Sequence, residues 1–224
     1  MIDWTALRLS LELAAWTSAI ILPLGIVVGR AMAHRRFVGK SLLQALLALP
    51  LVLPPTVLGF YLLSVMGREA ALGRAFEAAF ARPLAFSFVG LVAASLVANI
   101  PFALQPIERA FEAIAQDIRE AAWTSGLSSW RAFVAIELPL AWRGIATAFV
   151  LVFAHTLGEF GVVLMIGGAI PGETRTAAIA IYDRVQAFDD AAAAALSAAL
   201  LLIAFAATAA IFALGGPGED KRRD

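Results

Sequence analysis

Two ionisable side chains stand inside an otherwise uncharged stretch of this sequence, His155 and Glu159 within residues 144–168. Four residues apart, they fall on one face of a helix. A buried charge of this kind is costly unless paired. Two roles are therefore open: a pair that fixes helix packing or a subunit interface, or a functional site. A bare carboxylate repels anions, so Glu159 is not expected to bind one. Other chemistry is thinly supplied. His34 and His155 are the only histidines and there is no cysteine, so disulfides, thiolate metal sites and His-rich centres are excluded. His34 lies in a basic loop and is expected to be solvated. No G-x-x-x-x-G-K-[ST] phosphate loop occurs. Its nearest imitation, GGPGEDK at 215–221, lacks the glycine before lysine and follows no strand. ATP hydrolysis, if this chain depends on it, must come from another polypeptide.

Two further groups of residues have suggestive spacing. Pro50, Pro54 and Pro55 in LPLVLPPTVLGF remove backbone donors from an apolar stretch. Inside a membrane that is tolerated where neighbours or a water-filled cavity satisfy the freed carbonyls, and such breaks mark either a pathway or a structural kink. In AIPGETRT, residues 169–176, Pro171-Gly172 signals a turn. Thr174, Arg175 and Thr176 could there donate hydrogen bonds to an anion, meet another protein or simply be solvated.

The elements that must position these residues follow from composition. Of 224 residues 61% are hydrophobic and 15% charged, far from the balance of soluble domains. Formal net charge is zero, which argues against nucleic acid as a partner. Five stretches reach the roughly 20 apolar residues that a spanning helix needs: 9–29, 41–66, 83–104, 144–168 and 191–214. The chain is read as one all-α, polytopic membrane domain, with an insert over 105–140 and a tail over 215–224. Arg30, Arg35, Arg36, Lys40, Arg109, Arg119, Arg131, Arg143, Lys221, Arg222 and Arg223 fall on one side, and Arg8, Arg68, Arg74, Arg82, Arg175 and Arg184 on the other. The richer side is cytoplasmic by the Lys/Arg bias, placing the N-terminus outside and the C-terminus inside. The first helix lacks a basic n-region and is too long for a cleaved signal; Trp4 is expected to anchor it at the interface.

The insert differs from its surroundings. Ile107, Phe111, Ile114 and Ile118 repeat along one helical face, with Glu108, Arg109, Glu112 and Arg119 largely elsewhere. Gly126 should end that pattern, and Ser128 or Ser129 should cap a second helix that carries Trp130, Phe133, Val134 and Ile136 and ends near Pro139. The result is a helix–turn–helix with Trp123, Leu127 and Trp130 near its turn. Lying on lipid is one use of such a segment. Acidic residues outnumber basic ones here, whereas lipid-surface helices favour a basic face, so docking into a partner's groove fits better.

Glu120-Ala121-Ala122, Gly126, and Ile136-x-Leu138-Pro139 stand at the spacing of the EAA loop, and the segment resembles that loop of ABC importer permeases. LPLVLPPTVLGFYLL (49–63) and LGEFGVVLMIGGAIPGETRT (157–176) are similar to the permease subunit of bacterial molybdate importers, in the expected order and across essentially the whole chain; sulfate and tungstate permeases share looser versions. The resemblance implies a type I importer permease of the bacterial inner membrane whose EAA loop couples it to an ATPase. Glu120, Ala121, Ala122, Trp123, Gly126, Leu127, Trp130, Ile136, Leu138 and Pro139 are then the coupling residues. It further implies two cytoplasmic ATPase subunits that carry the ATP and Mg, a second copy of this chain, and a periplasmic molybdate-binding protein, with no cofactor on this chain. Pro54, Pro55, His155, Glu159, Thr174 and Arg175 remain candidates for the pathway or for helix packing. An ion-coupled secondary transporter is the main rival, but it predicts internal repeats and midplane charges, of which only Glu159 is acidic.

Overall fold

In the computed structural model residues 2–214 are described, with only the backbone for 211–214. The tail over 215–224, with GGPGEDK and its three basic residues, lies outside them. All regular structure among the described residues is helical.

Helix α1 (Trp4–His34) begins where the Asp3 carboxylate accepts the Ala6 N–H at 3.0 Å, a side-chain cap for an amide with no partner inside the helix. Trp4 is 70% exposed at its start. Helix α5 (Phe88–Glu112) is the centre of the bundle and packs along both α1 and α8 (Leu138–Gly158), which also touch each other. Association in lipid depends on close packing rather than on expulsion of water, so small residues matter at these seams. Gly25 and Gly29 of α1 face α5; a Cβ added at Gly29 would stand 2.9 Å from Ile107 Cγ2 and 3.2 Å from the Glu108 amide nitrogen. Gly144 of α8 meets Ala110 and the Pro106 carbonyl in the same way. Around these seams Ile107, Phe111, Ala141 and Ala148 are fully buried.

The expected span over 41–66 is not one helix. It is α2 (Lys40–Val52) and α3 (Pro55–Met66), bent by 108° at their junction. Leu53 and Pro54 are extended, with ψ of 139° and 135°, as a residue before proline must be. Pro50 sits within α2 without breaking it. Residues 144–168 are likewise divided: α8 stops at Gly158, and a short α9 (Gly161–Gly167) follows. Glu159 is thus not midway along a helix but in the break between two. The span expected over 83–104 starts later and runs further, because Ser87 caps α5 by accepting the Gly90 N–H at 3.1 Å. Among the described residues four helices are long and apolar enough to cross a membrane, or five if the bent α2–α3 pair is one crossing. An amphipathic α4 (Ala71–Phe80) joins α3 to α5. After α9 come α10 (Ala177–Gln186) and the apolar α11 (Asp190–Leu214), packed on each other.

Replacing Gly29 by valine forces Ile107 off its position, and overpacking of this kind costs about 1–3 kcal/mol. The variant should unfold at a lower temperature in detergent than wild type, read by tryptophan fluorescence; an unchanged midpoint would show the seam to be loose.

Candidate functional site: a helical turn and the junction beneath it

Two short helices form the insert, α6 (Gln116–Thr124) and α7 (Ser129–Ala132). Between them the Leu127 N–H donates to the Ala122 carbonyl at 3.1 Å and the Gly126 N–H to the Trp123 carbonyl at 2.9 Å. This is the paired ending that needs a left-handed residue just past the helix. Gly126 supplies it, with φ +80°. No atom lies within 4 Å of a Cβ built there, so the requirement for glycine is conformational and not steric. Ser128, of the two candidates, caps α7 through the Arg131 N–H. Ala122 is buried, while Trp123 is 51% and Trp130 71% exposed. Glu120 and Ala121 are exposed, Leu127 and Ile136 half-buried; Glu120 accepts the Gln116 amide at 2.7 Å.

The second helix does not end near Pro139. It continues through a π-turn over Phe133–Glu137 straight into α8, so that Ser129–Gly158 is one apolar span. Leu138 and Pro139 are the first two residues of α8. A wider turn immediately before a proline accommodates its ring and its missing donor. The first helical face is also shorter than its periodicity implies. Ile107, Phe111 and Ile114 are buried, but the chain turns at 113–115 and Ile118 is 39% exposed. Nothing in Ala113-Ile114-Ala115 demands a break; Ile114 is drawn into the cluster with Phe111, Ala141 and Ile145.

Beneath the turn lies a junction that sequence reasoning missed. Glu137, in the π-turn, is buried to 1%. Arg30 near the end of α1 grips both its carboxylate oxygens, the Nη2–Oε1 contact being 3.0 Å. His34 Nε2 stands 3.4 Å from the same carboxylate. His34 is therefore not a solvated loop residue but part of this junction, its ring edge-on to Phe111. The Arg30 guanidinium also lies 5.0 Å from the centre of the Phe133 ring, a cation–π contact. A lone glutamate among apolar neighbours would have been the available signal, since a buried carboxylate needs a partner. Glu108 behaves similarly: it turns inward and accepts from Gln44 at 2.8 Å and meets Lys40 at 3.2 Å, binding α2 to α5.

The structure brings Pro54–Pro55 and His155–Glu159 to one place. Pro55, Leu58, Phe102, His155, Glu159 and Val162 are among the residues around a cavity of about 110 Å³. The two helix breaks abut there, a Cβ at Gly161 falling 2.6 Å from the Pro55 Cβ. Glu159 Oε1 accepts the Val162 N–H at 2.9 Å and so caps α9, while Oε2 is 3.5 Å from His155 Nε2. His155 Nδ1 is 3.2 Å from the Asn99 amide oxygen, and the Asn99 nitrogen donates to the Ser95 carbonyl and to Thr156. These side chains thus form one polar cluster between α5, α8 and the break.

Thr174 and Arg175 are elsewhere and engaged. The buried Thr174 hydroxyl donates to the Gly167 carbonyl at 2.6 Å and accepts the Ile170 N–H at 3.1 Å. Arg175 pairs with Asp183 at 2.9 Å and with Asp3 at 3.5 Å. Asp3 and Arg30 are separated by about 40 Å along α1. The loop at 169–176 and the turn at 123–130 therefore lie at opposite ends of the bundle.

Removing Arg30 (Arg30→Met) leaves a buried, unpaired carboxylate, at a cost of roughly 3–5 kcal/mol. In thermal unfolding the double change Arg30→Met with Glu137→Leu should recover most of that loss. Additive effects of the two single changes would contradict the pairing.

Residues 21–215 match the family model of the binding-protein-dependent transport system inner membrane component. The chain is 45% identical over 210 residues to the molybdenum transport system permease protein of Azotobacter vinelandii, covering 94% of this chain and 93% of that one. It is 37% identical to a putative molybdenum transport system permease protein of Bacillus subtilis, over 90% and 89% of the two chains. The crystal structure of a bacterial alginate ABC transporter in complex with an alginate pentasaccharide-bound periplasmic protein contains a chain of similar fold, at TM-score 0.75 and 15% identity, with 92% of this chain and 76% of that one covered. By the extent of these matches, the chain belongs to the family of inner membrane components of binding-protein-dependent transport systems.

Proposed function

We propose that this protein is the membrane-spanning permease subunit of an ATP-driven importer that carries molybdate across the bacterial inner membrane. The observation that carries the substrate is the 45% identity with a molybdenum permease, over more than nine-tenths of both chains. The exposed turn supports the coupling. Trp123 stands near the end of α6 and Trp130 near the start of α7, both exposed around the glycine ending. Helix α7 continues through the π-turn into α8, so a push on the turn is passed to a membrane span. Large aromatics on an ordered turn suit a partner's groove, and the partner is an ATPase subunit that binds the ATP and Mg this chain has no loop to hold. Glu120, Ala121, Ala122, Ile136, Leu138 and Pro139 shape that lever, and the junction of Glu137 with Arg30 and His34 ties it to α1.

Two copies of the chain line the pathway between them. Helix α2 supports that arrangement: none of its residues is buried, and Leu42, Leu46 and Val52 are open, as a face that meets a second copy requires. The N-terminus and the loop at 169–176 face the periplasm, where a molybdate-binding protein delivers the anion, and the 123–130 turn faces the cytoplasm. Closure of two ATPases then shifts the population between inward-open and outward-open states. Pro54–Pro55 and the break at Glu159 adjoin, and they hinge together. His155 and Glu159 fix that hinge and do not bind anion.

Uptake of radioactive molybdate by cells whose own importer is deleted, complemented with this chain and its genomic neighbours, tests the reading. Molybdate should accumulate in an ATPase-dependent manner, with tungstate competing and sulfate competing weakly. Trp130→Asp should lower uptake about tenfold or more, as loss of an anchoring aromatic does, together with loss of ATPase co-purification. Uptake that persists without any ATPase would overturn the mechanism, and sulfate uptake in preference to molybdate would overturn the substrate.

A further inference from the structure

We propose that the cavity of about 390 Å³ between the end of α1 and the start of α6 is a binding site for a phosphate-class oxyanion, either a phospholipid headgroup or a free tetrahedral anion. Arg35, Arg36, Lys40 and Arg119 all line it, against the single carboxylate of Glu112. That carboxylate is already taken, by Lys40 at 3.4 Å and Arg109 at 3.0 Å. Lys40 also meets Glu108. Arg35, Arg36 and Arg119 have no ion pair or side-chain hydrogen bond among the described residues. Three arginines without an ion pair thus line one hollow.

The Lys/Arg bias of membrane proteins accounts for exposed cations at this end of the bundle. It does not account for Arg119, whose Nε is shut off from solvent and donates to nothing. Buried polar groups are nearly always satisfied, so an orphan guanidinium N–H signals a missing acceptor. The backbone adds to the field. Ala115 begins α6 without a side-chain cap, leaving the amides of Gln116 and Asp117 without a side-chain acceptor, and free amides at a helix start favour an anion. The Ile118 N–H is taken by the Asp117 carboxylate at 3.0 Å. Asp117 is the one charge of that turn opposed to an anion, and it does not line the cavity. A tetrahedral oxyanion presents several acceptors at once, which suits a hollow lined by several arginines better than a single carboxylate would.

The test uses the full chain, purified in detergent and stripped of lipid, and neither readout depends on transport. In the first arm, native mass spectrometry counts bound phosphatidylglycerol against phosphatidylcholine. In the second, thermal unfolding is followed in sodium phosphate and in sodium molybdate, with chloride at matched ionic strength as reference. Wild type should retain phosphatidylglycerol selectively, which assigns a headgroup, or be stabilised by the inorganic anions beyond chloride, which assigns a free oxyanion. Arg119→Gln should weaken whichever binding is seen roughly tenfold. The double change Arg35→Gln with Arg36→Gln, at exposed positions, should do the same. No selective binding by wild type in either arm, or equal binding by wild type and both variants, overturns the proposal.

Discussion

A carboxylate buried to 1% in an apolar bundle is the constraint from which much of this structure follows. Glu137 cannot stay ionised there alone, and the groups that answer it, Arg30 and His34, come from the far end of a helix more than a hundred residues earlier. Their demand fixes where α1 ends relative to α8. Glu137 closes the π-turn, so that its carboxylate meets α1 while the chain continues through Leu138–Pro139 into the membrane span. The exposed 123–130 turn stands on this joint. A lever that moved α8 without α1 would have to break the pair.

The rest of the bundle depends on close approach. Glycines at 25, 29 and 144 let α1 and α8 lie directly on α5, which compensates for the weak apolar driving force between helices in lipid. Prolines and glycines then interrupt α2–α3 and α8–α9, and the two interruptions touch at Pro55 and Gly161. Each break leaves polar backbone that must be satisfied away from water. Leu53 still donates to Leu49, and Glu159 caps the restarted helix. The carboxylate that stood out as a candidate site is thus spent on the backbone at the break.

These features divide the molecule by length. The loop at 169–176 is closed upon itself by Thr174 and tied to the start of α1 by Arg175. At the other end, Glu137 at the start of α8 is tied to the end of α1. One continuous helix, α1, therefore has polar ties at both ends of the bundle.

Sequence alone determined that this chain is an all-helical membrane protein, that Gly126 ends a helix and that a capped second helix follows. Those features depend on local causes: runs of apolar residues, a left-handed position that favours glycine, a serine oxygen within reach of a free amide. The segments carrying Pro54–Pro55 and His155–Glu159 were also legible, because proline and charge are anomalous in such surroundings. What the sequence did not determine was how far each helix runs and what each anomaly is for. Periodicity carried one face on to Ile118, yet packing of Ile114 broke it. Pro139 read as an end, yet a π-turn absorbed it. His34 read as solvated and Glu159 as a mid-helix charge, yet one answers Glu137 and the other caps α9. The physical reason is common to all four: a buried polar group or a proline states a requirement, and only the helices that fold against it decide which atoms meet that requirement.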